Sequence, residues 1–207
     1  GGGDVACDMA RLAGPFGRVL ATDIDAPQLD IARREAEALG IANLDFIHSD
    51  ITREIPEGPF DFIHVRFVLT HIPNPGEALA RIKSVLKPGG VIAIEEIDGS
   101  GQCCHPDCPA LWRYVEIYTE TVRRRGGDAN IGPRLPSLVL DAGFANVGMN
   151  VVQRAGYEGE VKLITPITMQ NIAPAVLRAG IASEAEINAV VQELYDYAHT
   201  PGTIGCL

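Results

Sequence analysis

The sequence lacks features that would place it in several common protein classes. Its 207 residues contain no apolar run near the roughly 18 residues that cross a bilayer, and no signal peptide is visible. Basic residues are few, since 17 Lys and Arg against 27 Asp and Glu give a net charge of −10. Sequence-independent binding to nucleic acid or to anionic lipid needs a surplus of Lys and Arg. We therefore expect a cytoplasmic protein that binds small molecules, with neither nucleic acid nor membrane as a partner.

Cysteine is also scarce. The five cysteines are an odd number and too few for a disulfide framework, which is typical of a reducing compartment. The segment "CCHPDC" at 103–108 holds three of them beside a histidine and an aspartate, all residue types that can bind metal. Structural zinc sites usually draw on two separated ligand pairs, and the sequence has no second pair. We expect thiols in a loop and no bound metal.

What the sequence does have is a regular alternation of strand-like and helix-like segments. The strand-like segments are 18–25, 43–50, 60–67 and 91–98, and amphipathic segments separate them. Strands that are apolar on both faces and are separated by helices predict an α/β fold with a parallel, doubly wound sheet. The length requires only one domain, 1–207, which we divide into 1–98 and a helical second part, 99–207, with a late strand at 146–153.

Cap residues are predicted at three helix starts. Asp25 is placed to cap the helix over 26–40, and the pairs Asn74 with Glu77 and Ser183 with Glu186 have the spacing of capping boxes. The run Arg123–Arg125 ends a helix, where positive charge meets exposed carbonyl groups. For these arginines the sequence favours a helix terminus over an anion site.

The opening residues "GGGDVA" predict a glycine turn before a helix, where a ligand can approach the backbone closely. Gly1, Gly3 and Ala6 match the dinucleotide pattern Gly-x-Gly-x-x-Ala. Asp23 lies about 20 residues further on, where a ribose-binding acid belongs. A nicotinamide-dependent oxidoreductase is therefore one interpretation, although the Tyr-x-x-x-Lys pair of short-chain dehydrogenases is absent.

Four motifs together indicate a different family. The segments "GGGDVACDMARLAGPFGRVLATDID", "FIHSDI", "FDFIHVRFVLTHIPNP" and "LKPGG" follow one another as in the class I S-adenosylmethionine-dependent methyltransferases. The resemblance is closest to the small-molecule branch that includes the ubiquinone and menaquinone biosynthesis methyltransferases. It implies a Rossmann-like sheet, S-adenosylmethionine as cofactor and a small-molecule methyl acceptor. The alternatives are the nicotinamide enzyme and a non-catalytic S-adenosylmethionine-binding module.

The resemblance also assigns roles to residues at the carboxyl ends of the strands. It implies that Gly1 and Gly3 form the glycine turn, that Asp23 binds the ribose hydroxyls and that Ile24 packs on the adenine. It also implies that Asp50 accepts from the adenine amino group beside the Ile51 N–H. The backbone at Val65 and Arg66 would contact the methionine part. An acid at position 50 is also typical of a turn or cap, and the side-chain role of Arg66 stays open because the family often has a small or amide residue there.

Catalysis of methyl transfer rests largely on positioning, because the sulfonium already makes the methyl group electrophilic. A general base is needed only if the acceptor must lose a proton. Asp98, at the end of the strand 91–98, and His71 are the candidates, although a structural hydrogen bond explains His71 equally well. Glu95 and Glu96 alternate on the same strand, so at most one of them can face the pocket.

The acceptor is expected under the segment 99–134 and the late helices, as in the family. Trp112, Tyr114 and Tyr118 offer an aromatic wall there, but aromatic residues at helical spacing are more often plain core.

The ends of the sequence carry a further expectation from the resemblance. Family members place a strand ending in an acid before these glycines, at the centre of their sheet, and continue past "TIGCL" into a final antiparallel strand. We therefore expect that the first and last strands of the family are lacking here. Unpaired strand edges and uncovered apolar faces favour aggregation, so we expect residues 1–207 alone to be poorly soluble and to bind the cofactor weakly.

Overall fold

The structure is a computed structural model that describes residues 3–206. In its first part the order of elements is α1 (Asp4–Ala13), β1 (Val19–Asp23), α2 (Ala26–Ala38), β2 (Leu44–His48), β3 (Phe60–Arg66), α3 (Pro75–Ser84) and β4 (Leu86–Glu95). The predicted alternation of strands and helices is present except between β2 and β3, which no helix separates. The second part is mainly helical: β5 (Cys103–His105), α4 (Pro109–Arg124), α5 (Leu135–Asp141), β6 (Ala155–Gly156), α6 (Ile164–Arg178), α7 (Glu184–His199) and β7 (Ile204–Cys206). No helix among the described residues is both long and apolar enough to span a membrane.

The predicted parallel strands form two separate pairs. β1 pairs with β2 and β3 pairs with β4, both in parallel, and no ladder joins the two pairs within residues 3–206. A third, antiparallel sheet has the order β5-β7-β6. The α/β class with parallel strands is therefore confirmed, whereas a single continuous sheet is not seen among these residues.

Two apolar clusters hold the elements together. In the first, helices α3 and α5 cover one face of the β3–β4 pair, with Val65, Leu79, Ile82 and Val139 at its centre. The second lies between α4, α6 and α7, where Ile117, Met169 and Val176 are completely buried. The first cluster fixes the carboxyl ends of β3 and β4, and the second builds the helical part beside them.

Only one of the three predicted caps forms. Ser183 Oγ accepts a hydrogen bond from the Glu186 N–H at 3.2 Å at the start of α7. Asp25 and Asn74 occupy the cap positions of α2 and α3, but neither side chain makes a capping bond, so these two predictions are wrong. Both helices carry a proline in the first two positions, which has no N–H to be capped.

The predicted strand at 146–153 is also wrong. The segment has no ladder partner among the described residues, and Val151 and Val152 are 82% and 79% exposed. A β-strand is stable only when a neighbour satisfies its backbone groups, and an apolar pattern alone does not supply that neighbour. Only Ala155–Gly156, just beyond the segment, pairs with β7. The segment expected to be a cysteine loop instead contains the short strand β5.

Candidate cofactor site

The parallel pairing of β1 with β2 brings two acids to one edge of the sheet. Asp23 is in register with His48, and the backbone N–H of Ser49 donates to the Asp23 carbonyl at 3.1 Å. Asp50 follows immediately after this contact. In open α/β sheets ligands bind beyond the carboxyl ends of the strands, so both acids lie at the ligand-binding edge.

The loop after β1 is held on both sides of Ile24. Asp23 Oδ1 accepts a hydrogen bond from the Asp25 N–H at 2.9 Å, and His48 Nε2 lies 2.9 Å from the Ile24 carbonyl oxygen. The Ile24 side chain is 62% exposed. A fixed backbone with an exposed apolar side chain provides a surface for a flat ring. His48 was not predicted as a site residue, and its place at the end of β2 was the only signal for it.

Asp50 has a clear structural role in the turn that follows β2. Its Oδ1 accepts hydrogen bonds from the Thr52 N–H at 2.9 Å and the Thr52 hydroxyl at 2.6 Å, while Oδ2 lies 3.4 Å from Arg53 Nε. The Thr52 hydrogen bonds lower the pKa of Asp50, so the carboxylate is ionised at neutral pH. The neighbouring Ile51 is half-buried and packs against the first apolar cluster. Both short bonds to Asp50 use Oδ1.

The glycine turn is described only from its third residue, because Gly1 lies outside the described residues. Gly3 precedes α1 with a φ of 90°, a conformation that residues with a side chain rarely adopt. A Cβ at this position would lie 2.6 Å from the Ala32 Cβ on α2. Close packing of the start of α1 against α2 therefore requires glycine here, whether or not a ligand is bound.

Replacing Gly3 by alanine should destabilise the fold, because it adds an overlap with Ala32 to the cost of a positive φ. We expect about 2–5 kcal/mol from these two effects together. Gly40→Ala is the control, since Gly40 also has a positive φ but open space where its Cβ would be, and should cost only about 1–2 kcal/mol. Urea unfolding of both variants measures the difference, and equal losses would show that the contact with Ala32 is unimportant.

The ends of β3 and β4 form the other half of the edge. Val65 is 5% exposed and belongs to the first apolar cluster, whereas the next residue, Arg66, is exposed. Arg66 Nε lies 3.3 Å from a carboxylate oxygen of Glu95, and His64 Nε2 lies 2.9 Å from the other. The Arg66 guanidinium also lies 4.9 Å from the centroid of the Phe67 ring. The Arg66 side chain is thus engaged with its neighbours, which leaves the backbone at 65–66 as the candidate for cofactor contact.

Glu96 has a structural role that the sequence did not reveal. Its carboxylate accepts hydrogen bonds from the backbone N–H groups of Val68, Leu69 and Thr70 at 2.8, 2.6 and 3.3 Å. These residues begin the turn that ends at His71. Leu69 and Thr70 are completely buried, so water cannot replace the carboxylate at these donors. Glu96 therefore fixes the backbone that presents His71.

The two predicted candidates for a base differ in their surroundings. Asp98 Oδ1 accepts from the Ser100 N–H at 3.1 Å and the Ser100 hydroxyl at 2.6 Å, so Asp98 caps a local turn. Partial desolvation lowers the pKa of His71, Glu96 opposes this shift, and Arg125 adds to it. At neutral pH the imidazole of His71 is therefore neutral and able to accept a proton. Both Asp98, which the sequence favoured, and His71 stay predictions for the base.

Of the three aromatic residues considered, Tyr114 is part of the core. It is 3% exposed within the second apolar cluster, and burial raises its pKa well above the usual range. The Tyr118 ring lies 5.9 Å from the Tyr114 ring and packs against the same cluster. Trp112 is at the surface, where its Nε1 donates to Asp107 at 2.7 Å.

The cysteine segment contains one departure from expectation. Cys103 is disulfide-bonded rather than a free thiol, whereas Cys104 and Cys108 are free. Burial raises the pKa of Cys108, which makes its thiol unreactive. Within residues 3–206 no group of three or more acidic, cysteine or histidine side chains is arranged to hold a metal ion. A metal-free protein remains a prediction.

The described strands thus place two acids and the start of α1 at one edge of an α/β domain, the position at which ligands bind in such sheets. Residues 1–94 match the family described as "Methyltransferase domain". The ubiquinone/menaquinone biosynthesis C-methyltransferase UbiE of Pseudomonas fluorescens is 32% identical over 161 residues, which cover 71% of this chain and 63% of the relative. The same enzyme of Pseudomonas putida strain GB-1 is 35% identical over 98 residues, 46% of this chain and 38% of the relative.

A solved structure extends the similarity to the whole chain. A proposed methyltransferase of Bacillus halodurans C-125 is 18% identical with a TM-score of 0.61, covering 100% of this chain and 87% of the other. At this identity the match shows a shared fold. Residues 1–94 therefore match a methyltransferase-domain family, and this chain is similar to UbiE over part of its length. It spans less than two thirds of the length of these curated relatives.

Proposed function

We propose that this protein transfers the methyl group of S-adenosylmethionine to a small organic acceptor. The observation that carries the proposal is the pair of acids, Asp23 and Asp50, at adjacent carboxyl ends of two parallel strands in a chain whose residues 1–94 match this family. The residues up to 98 would hold the cofactor, and the helices after Gly99 would cover the acceptor. The nicotinamide interpretation gains no support, because the family match covers the same residues that suggested it.

The proposed contacts follow the positions of the side chains at the sheet edge. Asp23 would accept hydrogen bonds from the ribose hydroxyls, and the exposed Ile24 would pack on the adenine ring. Asp50 would use Oδ2 to accept from the adenine amino group, because both of its short hydrogen bonds use Oδ1. The glycine turn at Gly1 and Gly3 and the backbone at Val65 and Arg66 would contact the methionine part.

The protein's own contribution to the reaction is positioning, with proton removal where the acceptor requires it. When bound, the cofactor supplies a methyl group made electrophilic by its sulfonium. The turn ending at His71 is fixed by Glu96, so the neutral imidazole can take a proton from an acceptor hydroxyl or thiol. Asp98 is the second candidate for this role. Well-oriented reactants can gain roughly 7–11 kcal/mol from positioning alone, so an acceptor without an acidic proton would need neither residue.

Turnover with S-adenosylmethionine carrying a labelled methyl group tests the proposal. The acceptors are a panel of phenols, thiols and amines, and the readout is labelled product together with S-adenosylhomocysteine. We expect His71→Gln to lower kcat most for the least acidic phenols, because these depend most on a base. Tight binding of the cofactor without turnover of any acceptor would instead favour a non-catalytic binding module.

We further propose that an additional parallel strand lies between β1 and β3. Among the described residues each of these strands has one unpaired edge. The accessible surface of 12073 Å² also exceeds the expectation of about 9,300 Å² for a monomer of 22.1 kDa. Part of the excess belongs to the extended segment 146–153.

Adding a strand of the "VLDVGC" type before Gly1 should therefore raise both solubility and cofactor affinity. The added strand would pair the free edges of β1 and β3 and place an acid before the glycine turn. Thermal unfolding and titration with S-adenosylhomocysteine, run on the two chains in parallel, measure the effect. A cooperative transition and micromolar binding from residues 1–207 alone would contradict this proposal.

A further inference from the structure

An arginine-lined cleft lies between the carboxyl ends of α4 and α6. It has a volume of about 280 Å³ and is lined by Thr121, Arg124, Arg125, Ala175, Arg178 and Ala179. Three of these six residues are arginines, although the protein as a whole has a net charge of −10. The cleft is separate from the strand edge where the cofactor is proposed to bind.

The arginines of the cleft all lie at helix ends but differ in their partners. Arg124 donates to the Ala179 carbonyl at the end of α6 and pairs with Glu120 at 2.7 Å. Arg125 and Arg178 have no ion pair among the described residues, and the residues four positions before them are Thr121 and Pro174, which carry no charge. All three arginines of the run lie at the end of α4, as the sequence predicted, and Arg125 also lines the cleft together with Arg178.

The local charge balance favours an anion. Glu120 is shared between Arg123 and Arg124, whose hydrogen bonds lower its pKa to about 2. This carboxylate is therefore ionised at neutral pH, and its charge is balanced by these two guanidinium groups. Arg125 and Arg178 are therefore the two guanidinium groups of the cleft that have no carboxylate partner among the described residues. The bond from Arg124 to Ala179 also ties the two helix ends together and fixes the width of the cleft.

The cleft adjoins the turn that carries His71. Gly126 packs against Pro73, and the Asp128 N–H donates to the Thr70 carbonyl at 2.9 Å, so the end of α4 lies directly on this turn. A group bound between Arg125 and Arg178 would thus lie beside the candidate active site.

We propose that this cleft binds an anionic group, a phosphate or a carboxylate, through Arg125 and Arg178. The planar fork of arginine matches the oxygens of both groups, and two unpaired guanidiniums can hold one anion together. The anion is either a free inorganic ion or the charged end of an organic molecule. The proposal does not depend on methyl transfer, because it rests on a cleft outside the cofactor edge.

Calorimetric titration of the intact chain with inorganic phosphate at constant ionic strength tests the proposal. The double variant Arg125→Gln, Arg178→Gln should bind phosphate about tenfold or more weakly, since it loses two charge-assisted hydrogen-bonding groups. Arg123→Gln is the matched control, because Arg123 is on the same helix but does not line the cleft, and should bind as the parent does. S-adenosylhomocysteine affinity, measured alongside, should not change in the double variant.

A second titration with phenyl phosphate separates the two sources of the anion. Tighter binding than inorganic phosphate, with competition between the two, would identify the site as one for an organic anion. Preference for the inorganic ion would identify a site for free phosphate. The proposal is overturned if phosphate binding is not saturable or is equal in the parent and the double variant, whatever the result with S-adenosylhomocysteine.

Discussion

Asp23→Ala should weaken the binding of S-adenosylhomocysteine about tenfold or more while leaving the protein folded. Asp23 ends β1 at the ligand-binding edge, and the proposal gives its carboxylate two ribose hydroxyls as partners. Loss of the carboxylate leaves these hydroxyls poorly paired, at a cost of roughly 1–3 kcal/mol. Calorimetric titration measures the affinity, and circular dichroism shows whether the variant is folded.

Two further variants separate this effect from a local change in the turn. Asp25→Ala is the control, because Asp25 is the neighbouring acid and its side chain makes no capping bond to α2. It should bind as the parent does. Asp23→Asn keeps an oxygen that can accept the Asp25 N–H, so it should preserve the turn and still bind weakly. Unchanged affinity in a folded Asp23→Ala variant would show that Asp23 is not the ribose acid.

Glu96→Ala should be among the most destabilising substitutions in this chain. The carboxylate accepts three backbone hydrogen bonds from the turn at 68–70, and two of the donors belong to completely buried residues. Unpaired buried donors cost about 1–3 kcal/mol each, so we expect a loss of about 3–5 kcal/mol. Denaturant unfolding at neutral pH, in the chain with the added amino-terminal strand, measures it.

The adjacent residue provides the control for this prediction. Glu95 is exposed, contacts His64 and forms an ion pair with Arg66, so Glu95→Ala should cost less than about 1 kcal/mol. Glu96→Gln keeps one acceptor oxygen and should fall between the two alanine variants. If both alanine variants lost the same stability, the backbone bonds of Glu96 would not be the cause.

The sequence predicted those features that follow from local periodicity. The first three strands and the helices of the first part lie close to their predicted positions, because periodic burial leaves a direct trace in the sequence. The strand predicted at 91–98 instead runs over Leu86–Glu95, so Asp98 lies three residues beyond its end. The acids Asp23 and Asp50 were located by the same logic, since each directly follows or ends a strand. Periodicity is uninformative where a partner is required, and the apolar segment 146–153 therefore has the pattern of a strand without forming one.

The features that the sequence did not predict depend on contacts between distant residues. Glu96 bonds to backbone N–H groups 26 to 28 positions away, and no side-chain pattern marks a backbone donor. The contact of Gly3 with Ala32 is equally invisible until α1 and α2 are packed. The arginine cleft also required the structure, because Arg125 and Arg178 meet only when α4 and α6 are side by side.

The most direct test of the central claim is a calorimetric titration that compares cofactors. S-adenosylhomocysteine and NAD(P) are titrated into the chain with and without the added amino-terminal strand. The account predicts saturable, one-to-one binding of S-adenosylhomocysteine, strongest in the chain with the added strand, and no binding of NAD(P). Binding of NAD(P), or no binding of S-adenosylhomocysteine by either chain, would contradict it.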